Sequence, residues 1–193
     1  FAVLKSDGTL FAIRKNQNSS PTSFLYNVQK VYPFGNSGEI IALHTNGTIS
    51  VYGHTYISLY QLYNNSSPVP AVKIMTNNTG IAILDASGGV YTVDYSLSSI
   101  YTGNKLSAGV KRIFQTSEAF TALKEDGSVV SWGHSDAASC PVENQTVHIE
   151  KVYSNHHAFA AITVHGEVVT WGTSARGGVK GGTVDGLLAN TKT

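Results

Sequence analysis

The amino-acid sequence predicts an all-β protein built from five copies of one short repeat, and three observations carry this prediction. A nine-residue pattern returns along the chain at a nearly constant spacing. Apolar and polar residues alternate inside each copy, which is the period of a half-buried β-strand. A residue pair that ends in glycine, most often Asp-Gly or Asn-Gly, closes each copy in a tight turn. Such a period is typical of units that bury their apolar faces only against neighbours.

The five copies align without gaps on a shared glycine. The matching segments are AVLKSDGTL (2–10), IALHTNGTI (41–49), AILDASGGV (82–90), TALKEDGSV (121–129) and AAITVHGEV (160–168). Their glycines are separated by 39, 41, 39 and 39 residues. We therefore expect one domain over residues 1–193, with repeats at about 1–39, 40–80, 81–119, 120–158 and 159–193.

Each copy predicts a β-hairpin. Pairs such as Asp126-Gly127 favour a two-residue turn because both positions tolerate a positive φ. The alternating pattern places an apolar residue four positions before each shared glycine. These residues are Leu4, Leu43, Leu84, Leu123 and Ile162. A further apolar element precedes four of the hairpins, at VQKVY (28–32), AVKIM (71–75), GVKRIF (109–114) and IEKVY (149–153). We predict that this element is an additional strand.

An aromatic residue follows the hairpin in three copies. Tyr52, Trp132 and Trp171 each stand five residues after the shared glycine, and each precedes another glycine. A side chain that returns at one repeat position serves every copy alike. We therefore predict that these rings pack between repeats rather than stack on a ligand.

The segments FTALKEDGSVVSWG (120–133) and FAAITVHGEVVTWG (159–172) resemble repeats of the regulator of chromosome condensation superfamily. The short repeat is most similar to the beta-lactamase inhibitory protein II type. The resemblance implies a β-propeller of four-stranded blades, and a repeat of about 39 residues has room for four short strands with their turns. The predicted fold class is all-β, a β-propeller built from these repeats.

Two blade numbers are open. The end LLANTKT (187–193) followed by FAVL (1–4) overlays VYSNHHA (152–158) followed by FAAI (159–162). Either both ends share one blade of a closed five-bladed ring, or the chain is part of a larger, seven-bladed propeller. The second alternative is favoured because the family has seven blades and the chain starts at Phe1, as a processed chain or a piece of a longer one does.

The composition disfavours two partner classes and favours a compartment. Charged residues make up 13% of the chain and the formal net charge is +1, so no single-sign field attracts nucleic acid. No apolar run approaches the ~18 residues of a membrane span. Polarity comes from Asn, Ser, Thr, Gly and Tyr, which favours an extracellular or cell-surface location.

Acceptor triplets for N-glycosylation and a single cysteine are relevant to the extracellular or cell-surface location. The triplets begin at Asn18, Asn46, Asn64, Asn65, Asn77 and Asn144, all in expected turns or loops. The chain has one cysteine, Cys140, which cannot form an internal disulfide. A buried thiol and a bond outside this chain are the alternatives.

No catalytic or metal-binding pattern stands out. His134, Ser135 and Asp136 are the residue types of a nucleophilic triad, but three neighbours in a loop cannot all point at one another. Adjacent His156 and His157 in an extended chain point to opposite sides. We expect no enzyme activity, no metal site and no cofactor.

The sequence favours a non-catalytic protein-interaction or structural module, bound to a protein partner or to a neighbouring subunit in a larger assembly. Tyr56, Tyr60 and Tyr95 have no repeat counterparts and lie in the variable loops 54–66 and 94–105, so they are the expected contacts.

Phe34 and His156 form the rival set at the opposite rim. They occupy loops in which the resemblance implies aromatic contacts to an inhibited enzyme, but most of the matching positions are polar. A carbohydrate-binding propeller that takes glycans is the first alternative, and an inhibitor of another protein such as a beta-lactamase is the second.

Overall fold

The computed structural model describes residues 2–12, 23–34, 39–52, 70–94, 100–101, 106–134, 140–143, 146–176 and 178. Within these ranges sixteen strands form five antiparallel sheets, one for each repeat. The helical residues of this part of the chain are Leu106 and the 3-10 turn Ser174–Arg176. The predicted all-β class is confirmed.

The strands pair in chain order inside each sheet. The first sheet holds β1 (Ala2–Leu4), β2 (Leu10–Ala12) and β3 (Ser23–Leu25), and the second holds β4 (Val28–Phe34), β5 (Glu39–His44) and β6 (Ile49–Tyr52). The third holds β7 (Ala71–Thr76), β8 (Gly80–Asp85), β9 (Val90–Asp94) and β10 (Ile100–Tyr101). The fourth holds β11 (Val110–Gln115), β12 (Ala119–Lys124) and β13 (Val129–Gly133). The fifth holds β14 (Ile149–Ser154), β15 (Ala158–Thr163) and β16 (Val168–Gly172).

The additional strand pairs with the hairpin that follows it. We call β4, β7, β11 and β14 the first strands, because each opens its sheet and lies at its edge. The sheets are therefore shifted in phase against the repeats counted from the glycines. A sequence alignment finds the period but has no physical marker for where one sheet stops and the next begins.

The chain folds into two compact units. The first unit comprises Phe1–Thr76, Gly80–Ser87 and Tyr91–Tyr101, and the second comprises Asn77–Thr79, Gly88–Val90 and Thr102–Thr193. The core of the first unit includes Phe34, Ile41, Leu43, Ile49, Ile74, Ile81, Ile83 and Val93. The core of the second includes Leu123, Val129, Ile149, Val152, Phe159, Val169 and Trp171. Each unit thus buries aliphatic faces of consecutive sheets against one another.

Each of the two tryptophans stacks on a phenylalanine of its own hairpin. Trp171 is fully buried and stacks on Phe159, with 5.3 Å between ring centroids and 24° between planes. Trp132 is half-buried and stacks on Phe120 in the same way, at 5.5 Å and 22°. Each tryptophan lies opposite its phenylalanine in the register of the hairpin. Trp171 also belongs to a core cluster with residues of the preceding sheet, in line with the expected packing between repeats, whereas the stacking of Trp132 lies inside one hairpin. The Tyr52 side chain lies outside the described part.

The hairpin turns are one type, and it differs from the predicted one. The glycine amide donates to the carbonyl three residues back, as from Gly8 to Lys5 and from Gly47 to His44. Only the glycine takes a positive φ, between +79° and +83° in all five copies. The prediction that both turn positions use positive φ was wrong. The preceding Asp or Asn instead bonds the residue after the glycine through its side chain.

These turn bonds act on the aspartates. The Thr9 amide donates to Asp7 Oδ1 at 2.8 Å, and this bond lowers the pKa of Asp7. The Ser128 hydroxyl and amide do the same for Asp126. Both carboxylates are therefore held in the charged form that closes the turn.

Backbone hydrogen bonds link each turn to the next sheet. The turn glycine carbonyl accepts from the first residue of the following first strand, at 2.8–3.0 Å in four successive steps. The pairs are Gly8 with Val28, Gly47 with Ala71, Gly88 with Val110, and Gly127 with Ile149. The same link therefore recurs from each turn to the following sheet, although the connecting segments differ in length.

Candidate interaction surface

Every first strand contains a β-bulge. The pairing with the second strand of the sheet shifts between Val28 and Lys30, and again at the same place in β7, β11 and β14. A bulge places one extra residue on the strand and bends it, so two consecutive side chains can face the same way. The apolar residues three apart, such as Val110 and Ile113, therefore both reach the core.

The residues between them face outward as a pair. The four exposed pairs are Gln29-Lys30, Val72-Lys73, Lys111-Arg112 and Glu150-Lys151. The second member is a cation in all four strands. Cation side chains that return at an exposed position are not required by the core, so they belong to the surface that the first strands present.

A large side chain follows two residues after each of these cations. These positions hold Tyr32, Met75, Phe114 and Tyr153, all half-buried or exposed. Tyr153 keeps 55% of its surface exposed, and Val72 keeps 53%. In the first compact unit the Lys30 ammonium lies 5.2 Å from the centre of the Tyr32 ring. We call this outward face of the first strands, with its cations and large side chains, the cation-aromatic stripe.

In the second compact unit, taken by itself, the outward faces of β11 and β14 form a groove. The groove has a volume of about 330 Å³. Its lining residues are Lys111, Arg112, Phe114, Leu123, Glu150, Lys151, Val152 and Tyr153. The floor is apolar because Leu123 and Val152 belong to the core, and the walls carry three cations and one carboxylate.

The far end of the first strands is a second, more polar surface. Backbone bonds run along it from the Asn78 amide to the Ser117 carbonyl and from the Ser117 amide to the His156 carbonyl, both 2.9 Å. The Asn155 side chain closes the last turn by accepting from the His157 and Ala158 amides. His156 is exposed on this turn, with its ring 4.5 Å from that of His157.

His157 is tuned by its surroundings. The Arg176 guanidinium lies 3.2 Å from His157 Nε2, an arrangement in which the arginine donates and the ring nitrogen accepts. Desolvation, the charge of Arg176 and the neighbouring His156 lower the pKa of His157, in that order. The desolvation and the two neighbouring groups therefore favour the neutral ring.

Replacing Arg176 by glutamine is expected to raise the pKa of His157, because it removes the nearest positive charge while desolvation remains. Titration of the His157 ring protons by NMR, in the wild type and in Arg176→Gln, measures the change. An unchanged or lower pKa in the variant would show that Arg176 does not act on this ring.

The predicted contact residues fall in different places. Tyr56, Tyr60 and Tyr95 lie outside the described residues. Phe34 is only 5% exposed and packs in the core of the first unit, so its ring is not presented to a partner. His156 is exposed as expected. The cation-aromatic stripe was not among the predicted contacts, although a Lys or Arg recurs before an aliphatic residue in all four first strands.

Two glycosylation candidates lie in the described part. Asn46 is exposed, and its Oδ1 accepts from Thr48 in the turn, which leaves the amide nitrogen toward solvent. Asn77 uses its amide nitrogen to donate to the Thr116 and Ala119 carbonyls, at 3.2 and 3.1 Å. A glycan would attach to that same nitrogen, so a glycan at Asn77 is incompatible with this arrangement. Asn18, Asn64, Asn65 and Asn144 lie outside the described residues.

Cys140 is a half-buried thiol that packs beside the core of the second unit. Burial raises the pKa of its thiol. Of the triad-like residues, His134 is exposed, and Ser135 and Asp136 lie outside the described part. Across the described ranges, no three His, Cys, Asp or Glu side chains come close enough to hold a metal ion. No helix in these ranges is long and apolar enough to cross a membrane.

Comparison with known proteins reveals similarity of structure alone. No family model and no curated protein matches the sequence. Prp20p from Saccharomyces cerevisiae, the yeast RCC1, matches 89% of this chain and 54% of its own, at 14% identity and a TM-score of 0.55. Human WBSCR16 matches 93% of this chain and 61% of its own, at 14% identity and a TM-score of 0.50.

A third match is the CRINKLY WD40 ectodomain of the Arabidopsis thaliana receptor kinase ACR4. The match covers 70% of this chain and 50% of the ectodomain chain, at 15% identity and a TM-score of 0.49. The chain thus spans less than two thirds of the solved structures that it matches. The likeness to Prp20p and WBSCR16, at TM-scores of 0.55 and 0.50, establishes the fold, and the predicted propeller class is confirmed.

Proposed function

We propose that this chain, which has the fold of the RCC1-like β-propellers, is a non-catalytic protein-interaction module that works outside the cell or on its surface. The observation that carries the proposal is the cation-aromatic stripe. The first strands satisfy the core with one set of side chains and present cations and large apolar groups with another. Aromatic residues and arginine are enriched at the centres of protein interfaces.

The histidines support a non-catalytic role because several of them are used to hold the fold together. His44 Nδ1 lies 2.9 Å from the Tyr26 carbonyl, and its Nε2 lies 2.8 Å from the Ser50 hydroxyl. His148 Nδ1 lies 2.8 Å from the Asp126 carbonyl, across the link between two sheets. In these positions the imidazoles bond backbone carbonyls, and His44 also bonds the Ser50 hydroxyl, so both rings serve the fold.

The extracellular location rests on composition and on one turn. Polarity comes from amide and hydroxyl side chains, and the acceptor triplet at Asn46 lies on an exposed turn. Mass spectrometry of peptides from native material would detect a glycan at Asn46. A cytosolic source would contradict the location and leave the interaction role in place.

The loop tyrosines remain the proposed primary contacts. Replacing Tyr56 and Tyr60 together by alanine is expected to weaken binding of the partner by at least about 1 kcal/mol if they act as anchors. The partner is first isolated from native material by cross-linking, and its affinity is then compared for the wild type and the double variant.

Tyr63→Ala is the matched control, because Tyr63 has a repeat counterpart in Tyr101 and is expected to serve the fold. It should lower stability more than affinity. Contacts confined to residues 154–157 would move the site to the opposite end of the sheets. A turnover activity that His134→Ala abolishes would contradict the proposed function.

A further inference from the structure

The groove between β11 and β14 has the features of a site for a charged chain segment. We propose that it binds an acidic segment of a partner protein, with Asp or Glu carboxylates on its cations and an apolar side chain on its floor. This inference rests on the proposed function, because it states what kind of protein segment an interaction module of this type holds.

The groove carries an excess of positive charge. Lys111, Arg112 and Lys151 face one carboxylate, Glu150, which lies 3.2 Å from the Lys151 ammonium. Among the described residues, no carboxylate pairs with Lys111 or Arg112. The groove therefore carries more positive charge than the whole chain, whose formal net charge is +1. A carboxylate that enters it gains cations that no described acidic side chain neutralises.

The backbone geometry of β11 places two cations side by side. The bulge in β11 brings Lys111 and Arg112 to the same face of one strand. The guanidinium is a planar fork that binds a carboxylate through two parallel hydrogen bonds, while the ammonium beside it adds a mobile point charge. Such a pair suits neighbouring acidic side chains on an extended peptide.

The groove also has an apolar lining, which can hold an apolar side chain of the bound segment. Phe114 and Tyr153 stand at equivalent positions of β11 and β14, and Leu123 and Val152 close the floor between them. Tyr153 is more than half exposed in the free chain, so a bound apolar side chain would remove water from its ring. The volume of about 330 Å³ suits one or two side chains rather than a folded domain.

A nucleic acid fits less well. Glu150 lies in the groove and would repel a row of phosphates, and the chain has no large positive field to attract a polyanion. Lysines on an edge strand also have a known alternative use, since they prevent the edges of two molecules from pairing. The test must separate peptide binding from both of these.

The probe is a fluorescein-labelled peptide of alternating Glu and Gly with one central Phe, titrated with the full chain and followed by fluorescence anisotropy. Arg112→Gln and Lys151→Gln are each expected to weaken binding about threefold to tenfold. Glu150→Gln should strengthen binding, because it removes a repelling charge. Arg112→Lys, which keeps the charge but not the fork, should lie between the wild type and Arg112→Gln.

Lys5→Gln is the control, because Lys5 is an exposed lysine of the first compact unit that lies outside the cation-aromatic stripe. It should leave affinity unchanged, and equal weakening by this variant would overturn the site. Equal affinity for a single-stranded oligonucleotide would also overturn it. Aggregation of Arg112→Gln and Lys151→Gln without a change in affinity would assign these cations to edge protection instead.

The two proposals fail in different ways. If the native partner binds Arg112→Gln as tightly as the wild type and the peptide binds neither, the groove is not a site and the interaction module stands. If no partner is recovered from native material, the proposed function fails, whatever the peptide does.

Discussion

Replacing Phe159 by alanine is expected to cost about 3–5 kcal/mol of unfolding free energy, a large share of the ~5–15 kcal/mol that stabilises a typical domain. Phe159 is 1% exposed and stacks on Trp171, so the variant leaves a cavity under a buried ring. Urea unfolding followed by tryptophan fluorescence measures the change. Both tryptophans of the chain lie in the second compact unit, so this signal reports on the unit that contains Phe159.

Tyr153→Ala is the control for this variant. Tyr153 lies on the neighbouring strand of the same sheet but is 55% exposed, so its loss should change stability by less than about 1 kcal/mol. If both variants lowered the free energy of unfolding equally, the assignment of Phe159 to the core and of Tyr153 to the surface would be contradicted.

Gly47→Ala is expected to destabilise the chain by about 2–5 kcal/mol through two separate effects. The residue has a φ of +79°, which costs an L-residue about 1–2 kcal/mol. An added Cβ would also lie 2.8 Å from Pro70 Cα and 3.1 Å from the Ala71 amide nitrogen, where backbone must move. Moving a packed backbone costs about 1–3 kcal/mol more.

Gly166→Ala isolates the first effect. Its φ is +83°, but no described atom lies within 4 Å of an added Cβ. It should therefore cost about 1–2 kcal/mol. Chemical denaturation followed by circular dichroism compares each variant with the wild type. Equal costs at both glycines would show that the link from the Gly47 turn to β7 is loose.

The period, the hairpins and the packing of Trp171 could be predicted from the sequence. The shared glycines mark a turn that only glycine enters easily, and their carbonyls make the same link to the following sheet at each step. Trp132 and Trp171 recur because each lies opposite a phenylalanine of the same hairpin. Such features repeat in the sequence because each sheet needs them.

The turn type and the burial of Phe34 could not be predicted in the same way. Asp-Gly is compatible with several hairpin turns, and hydrogen bonds that are invisible in the sequence select one of them. Phe34 stands at the end of β4, where Asn77, Thr116 and Asn155 stand in the other sheets. Those polar residues suggested a loop, but β4 continues to Phe34, and the aromatic ring packs in the core.

The cation-aromatic stripe was missed because its residues do not follow the period of a regular strand. With strict alternation, Val28 and Val31 would face opposite sides, and Lys30 would point inward. The bulge reverses this, since it adds one residue before Lys30. Two aliphatic residues three apart in a strand, repeated four times, were the sequence signal of that bulge.

Hydrogen–deuterium exchange of the full chain, alone and with the partner recovered from native material, tests the interaction role most directly. We predict slower exchange on binding at the first strands Val110–Gln115 and Ile149–Ser154 or in the loops 54–66 and 94–105, with unchanged exchange at the linked glycine turns. Protection at none of these surfaces, or at the glycine turns alone, would contradict the account.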